Sequence, residues 1–238
     1  MAAATLMLQG AGFHSTQADD PGGTFAARFH PLVVNLESGL LAGEPFRAAQ
    51  TFTATQSGPL DSVAVLLARN GPRPDLVGVA LLATDPAGGP GEMLAQSSVS
   101  GAELPDRVNP GFLEAGFGGA GLTLQAGVSY AILVDVDFGG VGWHGTLTGP
   151  GITPPFDIVP ESYGYAEGAL WETFDAGAHW TPRERGDLGF EVRLIPEPEA
   201  RALLLAGLTV LAGTGGMRRE GCRPGMHEGA RSPAQDLR

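Results

Sequence analysis

Asp135 and Asp137, near the middle of the chain, are spaced so that their two carboxylates could bind one metal ion together. Alternate residues of an extended strand point to the same face, so the two side chains are expected to lie side by side. Paired oxygen ligands suit Ca²⁺, but this ion takes about six to eight oxygen atoms and the sequence identifies only two. We therefore expect a solvated strand end and no metal or other cofactor, with Asp135 and Asp137 as weak metal candidates.

An aromatic cluster is the second candidate for chemistry. Aromatic side chains can bind a sugar ring by stacking, because they offer an apolar face and, in Tyr and Trp, a polar edge. The alternative is that the rings fill a core, where each buries ~150–250 Å². Tyr163 and Tyr165 alternate to one face, which fits both interpretations, and we favour packing. The cluster consists of Trp143, Tyr163, Tyr165, Trp171 and Trp180, and it includes every tryptophan of the chain.

Motifs that would indicate an enzyme are absent or stand in the wrong context. Residues 116–121 match the Gly-x-Gly-x-x-Gly dinucleotide fingerprint, but a helix must follow that motif, and residues 122–136 have β character instead. The histidines show no metal spacing, and no Gly-x-Ser-x-Gly elbow occurs. A glycosidase needs a pair of acids, for which the candidates are Glu161, Glu167, Glu172 and Asp175. We expect no enzyme, and a polysaccharide-active enzyme is the least favoured hypothesis.

The amino-acid composition argues against several classes of function. All 14 basic residues are Arg, which excludes every mechanism that needs a lysine. Residues 1–195 hold 21 acidic side chains and 8 Arg, a balance of −13, and an acidic body of this kind argues against nucleic-acid binding. The single cysteine, Cys222, lies near the C-terminus, so the rest of the chain folds without disulfides. A domain of this size does not need them.

Short β-rich runs separated by Gly, Pro, Asn and Asp dominate the chain from Glu44 onward. No stretch before residue 196 keeps a helical period for ten residues. Strands at this regular, short spacing predict an all-β sandwich or barrel. The predicted strands are Ala48 to Ala54, Ser62 to Ala68, Val77 to Thr84, Met93 to Val99, Phe112 to Phe117, Gly121 to Leu124, Val128 to Val136, Tyr163 to Ala166 and Gly189 to Leu194. We expect the stretch from Glu44 to Leu194 to fold alone.

The C-terminal part has a different pattern. A rigid Pro196-Glu197-Pro198 entry precedes residues 202–217, which carry no charged side chain, and Arg218-Arg219 follows. A helix that is apolar all round is buried in protein or in lipid. Sixteen residues at ~1.5 Å each span roughly 24 Å, which is short of the ~30 Å hydrocarbon core, so this would be a marginal anchor. The alternative is a hydrophobic helix in the core of an ordinary domain.

This order of motif, apolar run and basic stop resembles the PEP-CTERM sorting tail of exported bacterial proteins. The resemblance implies export, a short C-terminal hydrophobic helix held in the membrane, and processing by an exosortase-like sorting protease. One departure is that family tails usually end soon after the basic cluster, whereas residues 220–238 follow here. The sorting-motif residues on this basis are Pro196, Glu197, Pro198, Arg218 and Arg219.

The body resembles the choice-of-anchor ectodomains that often precede such tails. Four phrases carry this resemblance, and together they span roughly Glu44 to Leu194. What it implies is a jelly-roll-like β-sandwich on an exported protein, and it brings no known catalytic residues with it. The phrases are Leu60-Asp61-Ser62-Val63, residues 90–95, residues 122–130 and residues 187–192.

The expected organisation has five parts. They are a candidate atypical signal peptide (1–18), an irregular N-terminal segment (19–43), a β-sandwich ectodomain (44–195), a PEP-CTERM-like sorting and transmembrane segment (196–219) and a disordered tail (220–238). We expect an exported, non-enzymatic protein that passes through the inner membrane to the cell envelope, cell surface or extracellular matrix. Its expected partners are the sorting protease, the membrane and an exopolysaccharide. The alternative is a carbohydrate-binding module that uses the aromatic cluster.

Overall fold

The computed structural model describes residues 25–31, 34, 36–106, 108–150, 158–159 and 164–196. These residues form β-strands and one short 3-10 turn, Gly101–Glu103, with no α-helix among them. The strands are β1 (Phe25–Phe29), β2 (Leu36–Leu41), β3 (Arg47–Thr53), β4 (Gly58–Arg69), β5 (Leu76–Thr84), β6 (Pro90–Ser100), β7 (Gly111–Gly116), β8 (Thr123–Leu124), β9 (Ser129–Val136), β10 (Gly140–Leu147), β11 (Gly149–Pro150), β12 (Ile158–Val159), β13 (Leu170–Thr173), β14 (Thr181–Arg183), β15 (Gly186–Leu188) and β16 (Phe190–Leu194).

Two antiparallel sheets contain almost all of these strands. The six-stranded sheet has the order β14-β13-β3-β9-β5-β6. The eight-stranded sheet follows the path β1-β16-β4-β10-β15, with β2 also paired to β10 and β7 and β8 also paired to β4. Strands β11 and β12 pair only with each other. The prediction of an all-β body is therefore confirmed for the residues that the structure describes.

Both sheets contribute to one hydrophobic core. Strand β9 shows the pattern that builds it, because Tyr130, Ile132 and Val134 are buried at alternate positions and point to one face. The rings of Phe52 on β3 and Phe190 on β16 lie 5.7 Å apart between centroids, a contact that joins the two sheets. Two sheets that enclose a common core in this way form a β-sandwich.

The segment 19–43 was expected to be irregular, and this is wrong for two stretches of it. Strand β1 pairs with β16, and β2 pairs with β10 over six residues, so both belong to the eight-stranded sheet. In β1 the adjacent Ala26 and Ala27 are both buried, which breaks the alternation that indicates a strand. In β2 the alternation is present, but Ser38 takes one of the inward positions. The sequence signal of both strands was therefore weak.

Strand β10 was not predicted from the sequence, although it pairs with β2, β4 and β15. Its glycines hide its β character, since glycine is depleted in strands. Packing explains why they are there. A Cβ added at Gly142 would collide with the side chain of Glu37, and one added at Gly145 would collide with the carbonyl of Asp187. Glycine at 145 permits the close approach of the β15 backbone, and glycine at 142 leaves room for the Glu37 side chain.

Of the nine strands predicted from the sequence, eight overlap an observed strand and one does not. The strand predicted from Tyr163 to Ala166 is wrong for residues 164–166, which form a bend and turn, and Tyr163 lies outside the described residues. The nearest strand is β13, which begins at Leu170. The seven predicted strands between Ala48 and Val136 each overlap an observed one, as does the last, Gly189 to Leu194.

The terminal segments lie mainly outside the described residues. Contacts divide the chain into Met1–Pro196 and Glu197–Arg238. The candidate signal peptide, the predicted C-terminal helix and the tail after residue 219 all fall in undescribed parts of these units. Among the residues that are described, no helix has the length and apolar character needed to cross a membrane.

Candidate functional site

Two members of the aromatic cluster lie inside the sandwich. The Trp143 side chain has no exposed surface, and its indole Nε1 donates a hydrogen bond to the carbonyl of Gly189 over 3.0 Å. Tyr165 is buried as well, and its ring packs edge-on against Phe190 with a centroid distance of 5.1 Å. Neither ring presents a face to solvent, so neither is available as a stacking platform on the surface.

The other two described members belong to the β13–β14 hairpin, where both are partly exposed. Trp171 lies opposite Pro182 in the ladder, and Trp180 immediately precedes β14. The Trp171 ring also covers the turn between β5 and β6, because a Cβ added at Gly89 would lie 3.1–3.3 Å from ring atoms. Tyr163 is outside the described residues. The five predicted aromatic residues therefore do not form one surface platform among the described parts of the chain.

Asp135 and Asp137 occupy the end of β9 and its continuation, as expected. Both are exposed, and the buried Val136 separates them, so the two carboxylates share the outer face of the six-stranded sheet. Asp135 Oδ1 accepts a hydrogen bond from the Val136 amide and lies 3.8 Å from Nη2 of Arg47. Asp137 Oδ1 accepts a hydrogen bond from the backbone amide of Leu76 over 3.0 Å. One oxygen of each carboxylate thus has a protein partner.

A shallow, open groove of about 220 Å³ lies beside these two carboxylates. Its floor is Gly78, the residue of β5 that pairs with Asp135 on β9 and with Ser98 on β6. Because Gly78 has no side chain, the outer face is depressed between the polar side chains of the two neighbouring strands. The lining residues are Leu76, Gly78, Gln96, Ser98, Asp135, Val136 and Asp137.

The groove does not resemble a preformed metal centre. No group of three or more His, Cys, Asp or Glu side chains is suitably placed for a metal ion anywhere in the described residues. Ca²⁺ would need about six to eight oxygen ligands. Asp135 and Asp137 supply carboxylates, and each of these already accepts a backbone hydrogen bond.

Of the four acidic residues proposed for a glycosidase pair, Glu172 and Asp175 are engaged by neighbouring side chains, whereas Glu167 has a buried Oε2 without a hydrogen-bond partner among the described residues. Glu172 Oε1 accepts a hydrogen bond from Arg183 Nη1 over 2.6 Å. Asp175 accepts hydrogen bonds from the hydroxyl of Thr173 and from the backbone amide and ring of His179. These hydrogen bonds hold the pKa of Asp175 well below its usual range, so its carboxyl is a poor proton donor. Glu161 lies outside the described residues.

A buried polar network was not anticipated from the sequence. Asp187 is only 7% exposed, and its two oxygens accept hydrogen bonds from the side-chain amide of Gln50 and the backbone amide of Tyr165. The Gln50 side chain, fully buried, accepts in turn from the Leu188 amide. Burial raises the pKa of Asp187 to about 6, although the hydrogen bonds from Tyr165 and Gln50 oppose this. No pattern in the sequence marks Asp187, because acidic residues are frequent throughout the body.

A second charged network lies around Glu191 on β16. Its two carboxylate oxygens contact the ring of His30 at 2.5 Å and the guanidinium of Arg193 at 2.6 Å. Burial would raise the pKa of Glu191, but the hydrogen bonds from His30 and Arg193 outweigh that effect and lower it. The arrangement is that of an ion-pair network on a sheet, in which Arg193 lies opposite Ser62 in the ladder and the Ser62 hydroxyl donates a hydrogen bond to Glu114.

Of the five residues predicted to form a sorting motif, the structure describes only Pro196. Strand β16 ends at Leu194, and the next amide, that of Ile195, donates a hydrogen bond to the Pro59 carbonyl over 2.9 Å. Ile195 and Pro196 are exposed. Glu197, Pro198, Arg218 and Arg219 lie outside the described residues. No protein-family model matches this chain, and no curated protein matches it.

Proposed function

We propose that this chain is an exported, non-enzymatic β-sandwich protein of jelly-roll-like type, delivered to the cell surface or extracellular matrix by a PEP-CTERM-like C-terminal signal. The observation that carries the proposal is the sequence from Pro196 to Arg219, in which a Pro-Glu-Pro motif, an uncharged apolar run and two arginines occur in order. The exposure of Ile195 and Pro196, which follow β16, supports it, because a processing enzyme needs an accessible segment.

The body supports a structural or binding role over catalysis. Its candidate acids Glu172 and Asp175 are tied to neighbouring side chains, and its single extended core accounts for Trp143 and Tyr165. Recognition of carbohydrate by the partly exposed Trp171 and Trp180 remains the second candidate. It is favoured by their position on one hairpin, and it is tested by the retention of a Trp171→Ala, Trp180→Ala variant in a polysaccharide gel.

Processing of the tail is the decisive test of export. The full chain is expressed in a bacterium that has an exosortase, with one epitope in the body and another after Arg238. Replacing Pro196, Glu197 and Pro198 by Ala should leave uncut precursor in the membrane fraction, because the protease no longer recognises its segment while the apolar run is unchanged. Glu199→Ala is the matched control, since it removes a neighbouring charge and keeps the motif, and it should be processed like the parent.

The basic stop is tested separately. Replacing Arg218 and Arg219 by Glu should disturb retention and orientation, because positive charge on the cytoplasmic side sets orientation and acidic residues contribute little to it. The mass of the mature protein reports cleavage at both ends. A released, soluble species that carries both epitopes at full mass would overturn the proposal and return residues 202–217 to the role of a core helix.

A further inference from the structure

We infer that the groove over Gly78 on the outer face of the six-stranded sheet binds one unit of a neutral polysaccharide chain. This site is distinct from the aromatic cluster. It is also independent of the proposed export signal, because it is built only from β5, β6, β9 and the residue that follows β9.

The shape of the groove comes from one missing side chain. In the ladder, Asp135, Gly78 and Ser98 lie side by side on neighbouring strands, with Gly78 in the middle. A Cβ at Gly78 would stand 3.3 Å from the side-chain nitrogen of Gln96 and 4.0 Å from the Cβ of Asp135, so a side chain here would crowd the Gln96 amide and occupy the floor of the groove. The volume of about 220 Å³ is below the ~300–1,000 Å³ of typical small-molecule pockets. A groove of this size can hold one sugar unit of a polysaccharide whose other units continue over the open surface.

The polar groups around the groove are still available for a ligand. Gln96 and Ser98 are exposed, and neither side chain makes a hydrogen bond to another residue within the part of the chain that the structure describes. The Gln amide both donates and accepts, as does the Ser hydroxyl. Asp135 and Asp137 each use one carboxylate oxygen for a backbone amide, which leaves the second as an acceptor. A sugar ring carries several neighbouring hydroxyls, and these can donate hydrogen bonds to the carboxylates and both donate to and accept from Gln96 and Ser98.

An apolar wall completes the groove. Leu76 is 49% exposed and lies two residues before Gly78, so both are on the same face of β5. A sugar ring carries C–H groups between its hydroxyls, and contact with Leu76 would remove apolar surface of both partners from water. The groove thus combines polar and apolar contacts within the reach of a single ring.

The charge around the groove determines which class of polymer it accepts. Of the two carboxylates, Asp135 lies 3.8 Å from Nη2 of Arg47, and Asp137 has no ion pair among the described residues. The chain as a whole has a net charge of −12. An anionic polymer would be repelled, whereas neutral hydroxyls donate to carboxylates in charge-assisted hydrogen bonds. We therefore assign the groove to neutral chains.

The test is affinity electrophoresis of the full chain through native gels that contain dextran, hydroxyethyl cellulose or, as the anionic comparison, alginate. At least one neutral polymer should slow the parent, and alginate should not. Gly78→Val should weaken this retention at least tenfold, because the new side chain occupies the floor of the groove and crowds the Gln96 amide, while a β-branched residue is well tolerated in a strand. Gly116→Val is the matched control, since Gly116 lies in β7 and an added Cβ there meets nothing within 4 Å.

Two further variants keep the test valid if Gly78→Val unfolds the protein. Gln96→Ala and the pair Asp135→Asn, Asp137→Asn change exposed side chains, and each should reduce retention severalfold with an unchanged melting temperature. The gels are run with CaCl₂ and with EDTA. Retention that requires Ca²⁺, equal retention of the Gly78 and Gly116 variants, or no retention of the parent in either neutral polymer would each overturn the inference.

Discussion

Asp187 Oδ2 accepts a hydrogen bond from the backbone amide of Tyr165 over 2.9 Å, inside the sandwich and next to the fully buried Gln50. This bond attaches the turn before β13 to strand β15 through a carboxyl group that is almost inaccessible to water. Within the part of the chain that the structure describes, no cationic side chain forms an ion pair with Asp187, whose hydrogen-bond donors are the amides of Gln50 and Tyr165. The ionised form is therefore costly, and the stability of the fold should depend on the pH at this one residue.

The first prediction is a loss of stability between pH 4 and pH 7. The folded pKa of Asp187, about 6, is above the ordinary value of 3.8, so the folded state holds a proton that the unfolded state has released. Its contribution is fully present below pH 3.8 and is lost as the pH rises through 6. At 1.36 kcal/mol per pKa unit, the free energy of unfolding should fall by roughly 3 kcal/mol across this window. Urea unfolding at a series of pH values measures it.

Asp187→Asn isolates this contribution because the new side chain has the same size and does not ionise. The free energy of unfolding of the variant should change much less between pH 4 and pH 7 than that of the parent. Asp106→Asn, which changes an exposed acid, is the control and should keep the parental pH dependence. Identical slopes for the parent and the Asp187 variant would show that the buried carboxyl is not the titrating group.

The second prediction separates the tryptophans by their burial. Trp143→Ala should cost about 3–5 kcal/mol of unfolding free energy, because it leaves a large cavity and removes the hydrogen bond to Gly189. Trp180→Ala, at a partly exposed position, should cost under about 1 kcal/mol. Chemical denaturation of both variants measures the difference. Equal, small losses would mean that the buried Trp143 side chain contributes little to the stability of the core.

The third prediction concerns the close approach of β10 and β15. Gly145→Ala should destabilise the fold by about 2–3 kcal/mol, since the new methyl group collides with the Asp187 backbone and the strands must move apart. Gly116→Ala is the matched control, also within a strand of the eight-stranded sheet and with no atom within 4 Å of the added Cβ. It should change stability by less than about 1 kcal/mol. The difference in melting temperature between the two variants is the measurement.

The fourth prediction replaces the expectation that the stretch from Glu44 to Leu194 folds alone. A fragment that begins at residue 44 lacks β1 and β2, and with them the buried side chains of Phe29, Leu36 and Leu40. Each of these contributes about 1.5–3 kcal/mol of burial. A 25–196 fragment should therefore melt cooperatively with a β-type circular dichroism spectrum, whereas a 44–196 fragment should lose cooperativity or aggregate. Equal melting curves would show that β1 and β2 are dispensable.

Local patterns in the sequence determined the fold class and most of the strands from β3 to β9. In these strands apolar residues alternate or run together between strong turn signals, and this information lies within a few neighbouring residues. The same holds for the side-by-side arrangement of Asp135 and Asp137, which follows from the period of two along a strand. The proposed sorting motif likewise rests on consecutive residues alone.

Only the tertiary structure decided the features that depend on distant neighbours. In strand β10, Gly145 leaves no room for a side chain beside the β15 backbone. The groove over Gly78 exists because β9, β5 and β6 place Asp135, Gly78 and Ser98 side by side. Asp187 looks like any other acid in the sequence until Gln50, 137 residues away, is placed beside it. Burial, close approach and the shift of a pKa are set by what surrounds a residue in space, and a single sequence records only what precedes and follows it.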